Sequence, residues 1–251
     1  MAVVLVHGNP ETADVWGPLV DRLDGREVVC LSPPGFGAPV PAGFAATMDG
    51  YRDWLVAELE RLNEDGSGPV DLVGHDWGGG HAVNAVLVRP DLVRTWASDV
   101  VGVFDEDYVW HDLAQAWQTD RVGEESVATL VQAPAELQAQ RLAQHGMEAS
   151  VAGTVAAGID EVMGRCILTL YRSAAQPAVA RRGAELERAA VRPGLSLLAT
   201  EDHMVGTEPQ RRRAAERAGA RTEVLEGLGH WWMTQDPDRG AEVLTRFWDS
   251  S

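Results

Sequence analysis

The most informative segment of this 251-residue chain reads Val73-Gly74-His75-Asp76-Trp77-Gly78-Gly79-Gly80. The largely apolar residues 69–73 lead into it as a strand, and residues 81–87 continue from it with the composition of a helix. Asp76 therefore lies on a sharp strand-to-helix turn. The flanking glycines at positions 74 and 78 have no Cβ, which lets a strained backbone lift one side chain clear of the sheet edge. The pattern G-x-D-x-G predicts a presented carboxylate, although an ordinary structural turn has the same composition.

Composition and charge narrow the class of protein. With 45% hydrophobic and 24% charged residues, the chain has the composition of a soluble globular protein, and its length suits one large α/β domain, with or without an inserted cap. The formal net charge of -17 repels nucleic-acid phosphates and acidic lipid surfaces. We therefore expect no nucleic-acid or membrane partner and a small neutral substrate.

The cysteines and the first residues carry further expectations. Cys30 and Cys166 lie in a strand-like and a helix-like run without zinc-ligand spacing, so we predict reduced core residues and no metal. Residues 1–8 are too short for a signal-peptide core and have no basic leader, and no apolar run reaches the length of a membrane span. These features predict a cytoplasmic protein, as a monomer or a homodimer.

Strand and helix patterns alternate along most of the chain. Buried-type or strand-like runs are at residues 2–6, 28–32, 69–73, 93–101, 194–200 and 221–225, and helical patterns are at 48–62, 211–218 and 239–248. This alternation predicts an α/β fold with a mostly parallel sheet flanked by helices. The active site of such a fold lies at the carboxyl ends of its strands.

The middle of the chain departs from this alternation. It has helix-like pieces without a strand signal, at residues 106–118, 124–132, 135–145, 160–173 and 177–190. We interpret residues 104–192 as an all-helical cap inserted into a core of residues 1–103 and 193–251. The alternative is a helical half of a single domain.

Four motifs occur in order along the chain, each after a predicted strand: His7-Gly8-Asn9-Pro10, the G-x-D-x-G turn, Asp202, and Gly227-Leu228-Gly229-His230. Together they resemble the α/β-hydrolases, in particular the branch with an aspartate nucleophile that includes epoxide hydrolases and haloalkane dehalogenases. The resemblance covers essentially the whole chain. It implies an α/β-hydrolase fold that is trimmed at the N-terminus, because the first strand already carries the His-Gly-x-Pro turn.

The resemblance also assigns catalytic roles. Asp76 would attack a substrate carbon and form an alkyl ester, and His230, oriented by Asp202, would activate the water that hydrolyses it. Asp99 is an alternative partner for His230, and Glu201 could take the place of Asp202. No cofactor is implied.

Further resemblances concern the oxyanion and the leaving group. The backbone N–H groups of Asn9 and Trp77 would stabilise the oxyanion of the hydrolytic step. Tyr171, followed by arginine, resembles the proton-donating cap tyrosine of epoxide hydrolases. The segment Tyr108-Val109-Trp110-His111 resembles the earlier cap helix, with Tyr108, Trp110 and His111 as candidate substrate contacts.

We accordingly predict an epoxide hydrolase that acts on a small neutral, largely apolar epoxide with water as the second substrate. The side chains of Asn9 and Trp77 also match the halide ligands of haloalkane dehalogenases, which is the alternative activity. A binding protein of this fold without turnover is the third possibility. Four further histidines are expected to be structural: His7, His75, His81 and His145.

Overall fold

The structure, a computed structural model, describes residues 2–64, 66 and 68–251. Within these residues the strands are β1 (Ala2–Val6), β2 (Glu27–Leu31), β3 (Val70–Gly74), β4 (Val93–Ser98), β5 (Gly194–Ala199) and β6 (Ala220–Leu225). They form one sheet in the order β2-β1-β3-β4-β5-β6, and every neighbouring pair is parallel. The predicted parallel sheet flanked by helices is confirmed.

Burial along the strands follows their position in the sheet. All residues of the central strands β1 and β3 are buried, as their apolar, β-branched sequences predict. The edge strand β2 is different, because its residues are exposed or only partly buried except Leu31. The prediction of a strand buried on both faces was wrong here. Cys30, which we expected in the core, is exposed on this edge, whereas Cys166 is buried.

The α-helices of the described residues fill the connections between strands and the C-terminal part of the chain. They are α1 (Gly17–Val20), α2 (Met48–Glu64), α3 (Trp77–Val88), α4 (Asp112–Gln118), α5 (Val122–Val131), α6 (Ala135–Gln144), α7 (Ala149–Ala156), α8 (Glu161–Ser173), α9 (Ala178–Gly183), α10 (Glu208–Arg217), α11 (Trp232–Gln235) and α12 (Pro237–Asp249). Helix α2 packs on α3, and α1 packs on α12.

Six helices, α4 to α9, lie between β4 and β5, and their boundaries differ in places from the predicted ones. The helix predicted from residue 106 begins only at Asp112, where the His111 side chain accepts a hydrogen bond from the Ala114 N–H. Helix α7 was not predicted, because its alanines alternate with serine, glycine, threonine and valine residues, which have weaker helical propensity. The helix predicted over 177–190 is divided into α9 and a 3-10 helix, Leu186–Val191.

The strand predicted over residues 93–101 is shorter in the structure. Strand β4 ends at Ser98 rather than at residue 101, and the chain continues into a 3-10 helix, Val101–Phe104. Asp99 consequently lies directly after the strand, at the carboxyl edge of the sheet. The division into a core and a separate cap domain stays a prediction. In the part of the chain that the structure describes, no helix combines the length and apolar character needed to cross a membrane.

Candidate active site

Asp76 lies between β3 and α3 with a positive φ of 48° and a ψ of -128°. Residues other than glycine adopt such a conformation only where the surroundings enforce it. The surroundings here are tightly packed backbone: a Cβ at Gly74 would lie 2.3 Å from the Gly78 carbonyl oxygen, and one at Gly78 would lie 2.0 Å from the Val6 oxygen. The two glycines are therefore required by space, and the turn directs the Asp76 side chain out of the sheet.

The Asp76 carboxylate is held by backbone donors. Its Oδ2 accepts a 2.9 Å hydrogen bond from the Asn9 N–H, and the Trp77 N–H is a second backbone donor to the same carboxylate. Burial raises the pKa of Asp76 to about 6, although His230 and His75 nearby oppose this rise. Asp76 is thus ionised at neutral pH and loses its charge as the pH falls through about 6.

His230 lies beside this carboxylate and is oriented by Asp202. Its Nδ1 is 2.8 Å from Asp202 Oδ2, and its Nε2 is 3.9 Å from Asp76 Oδ1. Burial alone would lower the pKa of His230, but Asp202 raises it. Burial would likewise raise the pKa of Asp202, but His230 and the Met204 N–H, 2.9 Å from Asp202 Oδ1, hold it well below its usual range.

The two alternatives for this acid are placed elsewhere. Glu201 is exposed, and its backbone N–H donates to the Leu228 carbonyl. Asp99 is buried and accepts hydrogen bonds from the Asp76 N–H and from His75 rather than from His230. Among the three carboxylates, the geometry therefore favours Asp202 as the partner of His230.

These distances define distinct positions for the two oxygens of Asp76. Oδ2 lies on the backbone donor of Asn9, in the place where an oxyanion would be stabilised. Oδ1 is the oxygen nearer to His230, and the 3.9 Å gap to Nε2 is too long for a direct hydrogen bond. Oδ1 can therefore attack a substrate carbon while His230 stays available to activate water.

Tyr171, from helix α8, lies opposite Asp76. The Asn9 side-chain Nδ2 donates to the Tyr171 hydroxyl at 3.3 Å, and the Trp77 side chain also hydrogen-bonds to it. The Trp77 and Tyr171 rings meet edge-to-face with centroids 5.3 Å apart. Burial and the Asp76 carboxylate raise the pKa of Tyr171 well above its usual range, while the two donors oppose this.

The other predicted cap contacts border the same space. The Tyr108 hydroxyl donates to the Met204 carbonyl at 2.8 Å, and the Trp110 indole donates to the Ala174 carbonyl at 3.3 Å. Trp110 stacks on Trp77 with centroids 5.7 Å apart. His111 caps α4 and lines the cavity, and burial lowers its pKa.

The cavity at Asp76 has two parts that meet at Asp76 and Tyr171. The first part is lined mainly by apolar side chains, among them Met48, Val100, Val103, Phe104, Trp110 and Val179. The second part is lined by further apolar residues together with Arg141 and His145 from α6 and its C-terminal end. The space beside the carboxylate is therefore largely apolar.

A buried polar cluster that was not predicted from the sequence lies behind the elbow, which is the strand-to-helix turn that carries Asp76. His75 lies between Glu11 and Asp99, and the indoles of Trp231 and Trp232 donate to the same two carboxylates. His75 is therefore more than a locally satisfied histidine, because its partners are 64 and 24 positions away in the sequence. A glutamate directly after the His-Gly-Asn-Pro turn and two tryptophans after His230 were the available signals.

Glu11, His75 and His230 also have ligand atoms within 4.8 Å of one another, as a metal site would. The Glu11 oxygen and both ring nitrogens of His75 are already engaged in hydrogen bonds, so the group acts as a hydrogen-bonded cluster. The other histidines have different surroundings. His7 contacts Gly8 and Ser32, His81 stacks between Tyr51 and Trp77, and His145 hydrogen-bonds to the Arg141 carbonyl.

Comparison with known proteins decides the family. A family model described as "Alpha/beta hydrolase family" matches residues 3–243. The chain belongs to this family. The parallel six-stranded sheet flanked by helices is accordingly that of the α/β-hydrolase fold, as predicted.

Individual relatives of the chain have different names and activities. A (E)-2-((N-methylformamido)methylene)succinate hydrolase of Acinetobacter baylyi is 31% identical over 96 residues, which are 38% of this chain and 35% of that protein. An epoxide hydrolase of Caballeronia sordidicola is 34% identical over 98 residues, 37% of this chain and 29% of that protein. The matches thus span about a third of these relatives.

A solved structure supports the fold over the whole chain. A loop variant of a haloalkane dehalogenase from Bradyrhizobium elkanii superimposes with a TM-score of 0.70 at 18% identity, covering 99% of this chain and 90% of the dehalogenase. At this identity the similarity shows the fold alone.

Proposed function

We propose that this hydrolase is an epoxide hydrolase that works through a covalent ester on Asp76. The observation that carries the proposal is the Tyr171 hydroxyl, which receives hydrogen bonds from Asn9 Nδ2 and the Trp77 side chain. These donors occupy the lone pairs of the phenol oxygen, so its proton remains available for a substrate oxygen. An epoxide needs such a proton when its ring opens, whereas a halide leaves as an anion without one.

The proposed reaction has two steps. Asp76 Oδ1 attacks an epoxide carbon, the ring C–O bond breaks, and the ring oxygen takes the Tyr171 proton. His230 then removes a proton from a water that attacks the Asp76 carbonyl carbon. The resulting oxyanion on Oδ2 is stabilised by the N–H groups of Asn9 and Trp77, and its collapse releases the diol. The oxygen that leaves with the diol takes the proton held by His230, and the proton of the re-formed Asp76 carboxyl group returns to Tyr171, which completes the cycle.

The largely apolar cavity supports a small neutral epoxide as the substrate, with water as the second reactant. The Caballeronia relative, which is an epoxide hydrolase, is consistent with this choice over the part of the chain that it matches. The second part of the cavity, with Arg141 and His145, gives room for a polar end of the substrate.

Haloalkane dehalogenation is the second candidate, because the side-chain donors of Asn9 and Trp77 converge on one point, as halide ligands would. In this structure that point is occupied by the Tyr171 hydroxyl. A halide would therefore have to displace the hydroxyl from both donors.

Parallel turnover assays test the proposal. The purified protein is given a panel of epoxides, scored as diol, and a panel of chloro- and bromoalkanes, scored as released halide. Diol without halide is the expected result. Halide release without diol would overturn the proposal in favour of the dehalogenase, and binding of both panels without any product would favour a binding protein.

Replacing Tyr171 by phenylalanine should lower the rate of epoxide opening by about 10²-fold or more, because the ring oxygen then leaves without a proton donor. The measurement is the single-turnover rate of ester formation with an accepted epoxide. Tyr108→Phe is the matched comparison and should cost less than about tenfold, because the Tyr108 hydroxyl is already bound to the Met204 carbonyl. Equal losses in the two variants would contradict a special role for Tyr171.

A further inference from the structure

The buried cluster behind the elbow contains a histidine between two carboxylates. His75 Nδ1 lies 2.5 Å from Asp99 Oδ2, and its Nε2 lies 3.0 Å from Glu11 Oε1. The three side chains are at most 2% exposed. A neutral imidazole has only one N–H, so two hydrogen bonds to ionised carboxylates require the doubly protonated, positively charged ring. Burial alone would lower the pKa of His75, but the two carboxylates hold it well above its usual range.

Glu11 connects His75 to the loop after β1, which we call the oxyanion loop because it carries the Asn9 N–H. Its Oε2 accepts a 3.1 Å hydrogen bond from the N–H of Gly8, the residue before Asn9. Its Oε1 accepts a 2.5 Å hydrogen bond from the indole of Trp231, the residue after His230. Glu11 therefore joins the loop after β1 to the loop that carries the histidine base.

Asp99 makes the corresponding connection to the nucleophile. Its Oδ1 accepts a 3.0 Å hydrogen bond from the Asp76 N–H, and its Oδ2 accepts one of 2.7 Å from the Trp232 indole. The strained backbone of Asp76 is thus held from behind by Asp99. The oxyanion loop, the elbow and the loop that carries His230 thus all donate hydrogen bonds to the carboxylates of Glu11 and Asp99. The His75 ring bridges one of these carboxylates to the other.

The cluster also places charge next to the reacting groups. The His75 and His230 rings have centroids 4.6 Å apart, and His75 is the chain neighbour of Asp76. Glu11 and Asp99 face the two ring nitrogens of His75, and Asp76 and His230 lie on the side of the cavity. His7 from the loop after β1 and the edge-to-face ring of Trp16 complete the surroundings. A positive charge here favours the ionised form of Asp76 and the neutral form of His230, whereas the Glu11 carboxylate disfavours ionised Asp76.

We propose that His75 is a charged positioning residue, whose imidazolium ties the oxyanion loop to the nucleophile elbow and places one positive charge behind Asp76 and His230. The kinetic part of this inference rests on the proposed covalent mechanism. The charge state of His75 does not, so it can be tested separately.

The first test is a long-range ¹H–¹⁵N NMR spectrum of the uniformly ¹⁵N-labelled protein at about pH 8.5. Both ring nitrogens of His75 should show the shifts of protonated imidazole nitrogens, although this pH lies well above the ordinary pKa of an imidazole. His75→Asn and His75→Gln assign the signal by removing it. An unprotonated nitrogen on His75 at this pH would overturn the proposal, whatever reaction the protein catalyses.

The second test compares the pH at which the single-turnover rate of ester formation is half maximal. His75→Gln should move this midpoint upward by about one pH unit, because the positive charge beside Asp76 is lost. Glu11→Gln should move it in the opposite direction, because a negative charge is lost. A purely structural role would not produce opposite shifts.

Matched variants separate charge from packing. His75→Asn places its amide N–H near the position of Nδ1 and can keep the hydrogen bond to Asp99, whereas His75→Gln can keep the hydrogen bond to Glu11. One variant therefore serves if the other does not fold.

The control variant His81→Gln removes a buried histidine outside the cluster. Burial lowers the pKa of His81 to about 3, so this variant should leave the midpoint unchanged. Shifts of the same sign for Glu11→Gln and His75→Gln would overturn the proposal. Absence of any ester in the wild-type protein would instead contradict the covalent mechanism and leave the NMR result to decide on His75.

Discussion

Replacing Asp76 by asparagine or alanine should lower turnover by at least about 10⁴-fold, because neither residue supplies an ionised oxygen that can form the ester. The residual rate is measured with the best substrate from the epoxide panel, under conditions in which the wild-type protein is saturated. Asparagine is the closer replacement, since it keeps the shape of the side chain and differs by the charge.

The stability of the asparagine variant is its internal control. The raised pKa of Asp76 means that the ionised carboxylate lowers the free energy of unfolding. This loss of stability is complete above pH about 6 and disappears as the pH falls below the ordinary aspartate pKa. Asp76→Asn should therefore unfold at or above the wild-type temperature at pH 8. Unchanged turnover in a folded variant would remove Asp76 as the nucleophile, and lower stability would contradict the assigned cost of burial.

Replacing His230 by glutamine should separate the two chemical steps. Ester formation needs the ionised Asp76 and a proton donor, but hydrolysis of the ester needs a base for water, so hydrolysis should slow by about 10²–10⁴-fold. The ester then accumulates and is seen by intact-protein mass spectrometry. The 3.9 Å separation of His230 Nε2 from Asp76 Oδ1 is the geometric reason for expecting the first step to survive.

The mass of this adduct also identifies the leaving group. An epoxide adds its whole mass to the protein, because ring opening releases nothing. A haloalkane adds its mass minus that of the hydrogen halide. The double variant with Asp76→Ala should show no adduct, which locates the ester on Asp76. Persistent absence of an adduct in His230→Gln, with substrate still consumed, would contradict a covalent intermediate.

Local signals in the sequence were sufficient for the frame of the fold. The strands were predicted from apolar, β-branched runs, and Asp76 was predicted on a strained turn from its flanking glycines; the structure has the strands and the turn at these places. Such signals are readable because burial on both faces and close backbone contact each restrict the residue type at a position. Boundaries were less predictable where packing decides them, as at the exposed edge strand with Cys30 and in the unpredicted helix α7.

The order of motifs also indicated which loops would meet, since the carboxyl ends of parallel strands share one edge. It placed Asp76, Asp202 and His230 among the candidates. Only the folded structure separates the two possible acids, because His230 contacts Asp202 at 2.8 Å while Asp99 contacts His75 instead. The functional roles of these residues stay predictions until the variants are measured.

Two features that carry the proposals depended on the tertiary structure alone. Asn9 and Tyr171 are 162 positions apart, yet they share the hydrogen bond that leaves the phenol proton available. Glu11, His75 and Asp99 come from three separate loops and become one charged cluster only when all three are buried together. A single sequence reports the preferences of each residue along the chain. Which distant polar groups must satisfy one another in the same water-free space is decided by the packing of the folded protein.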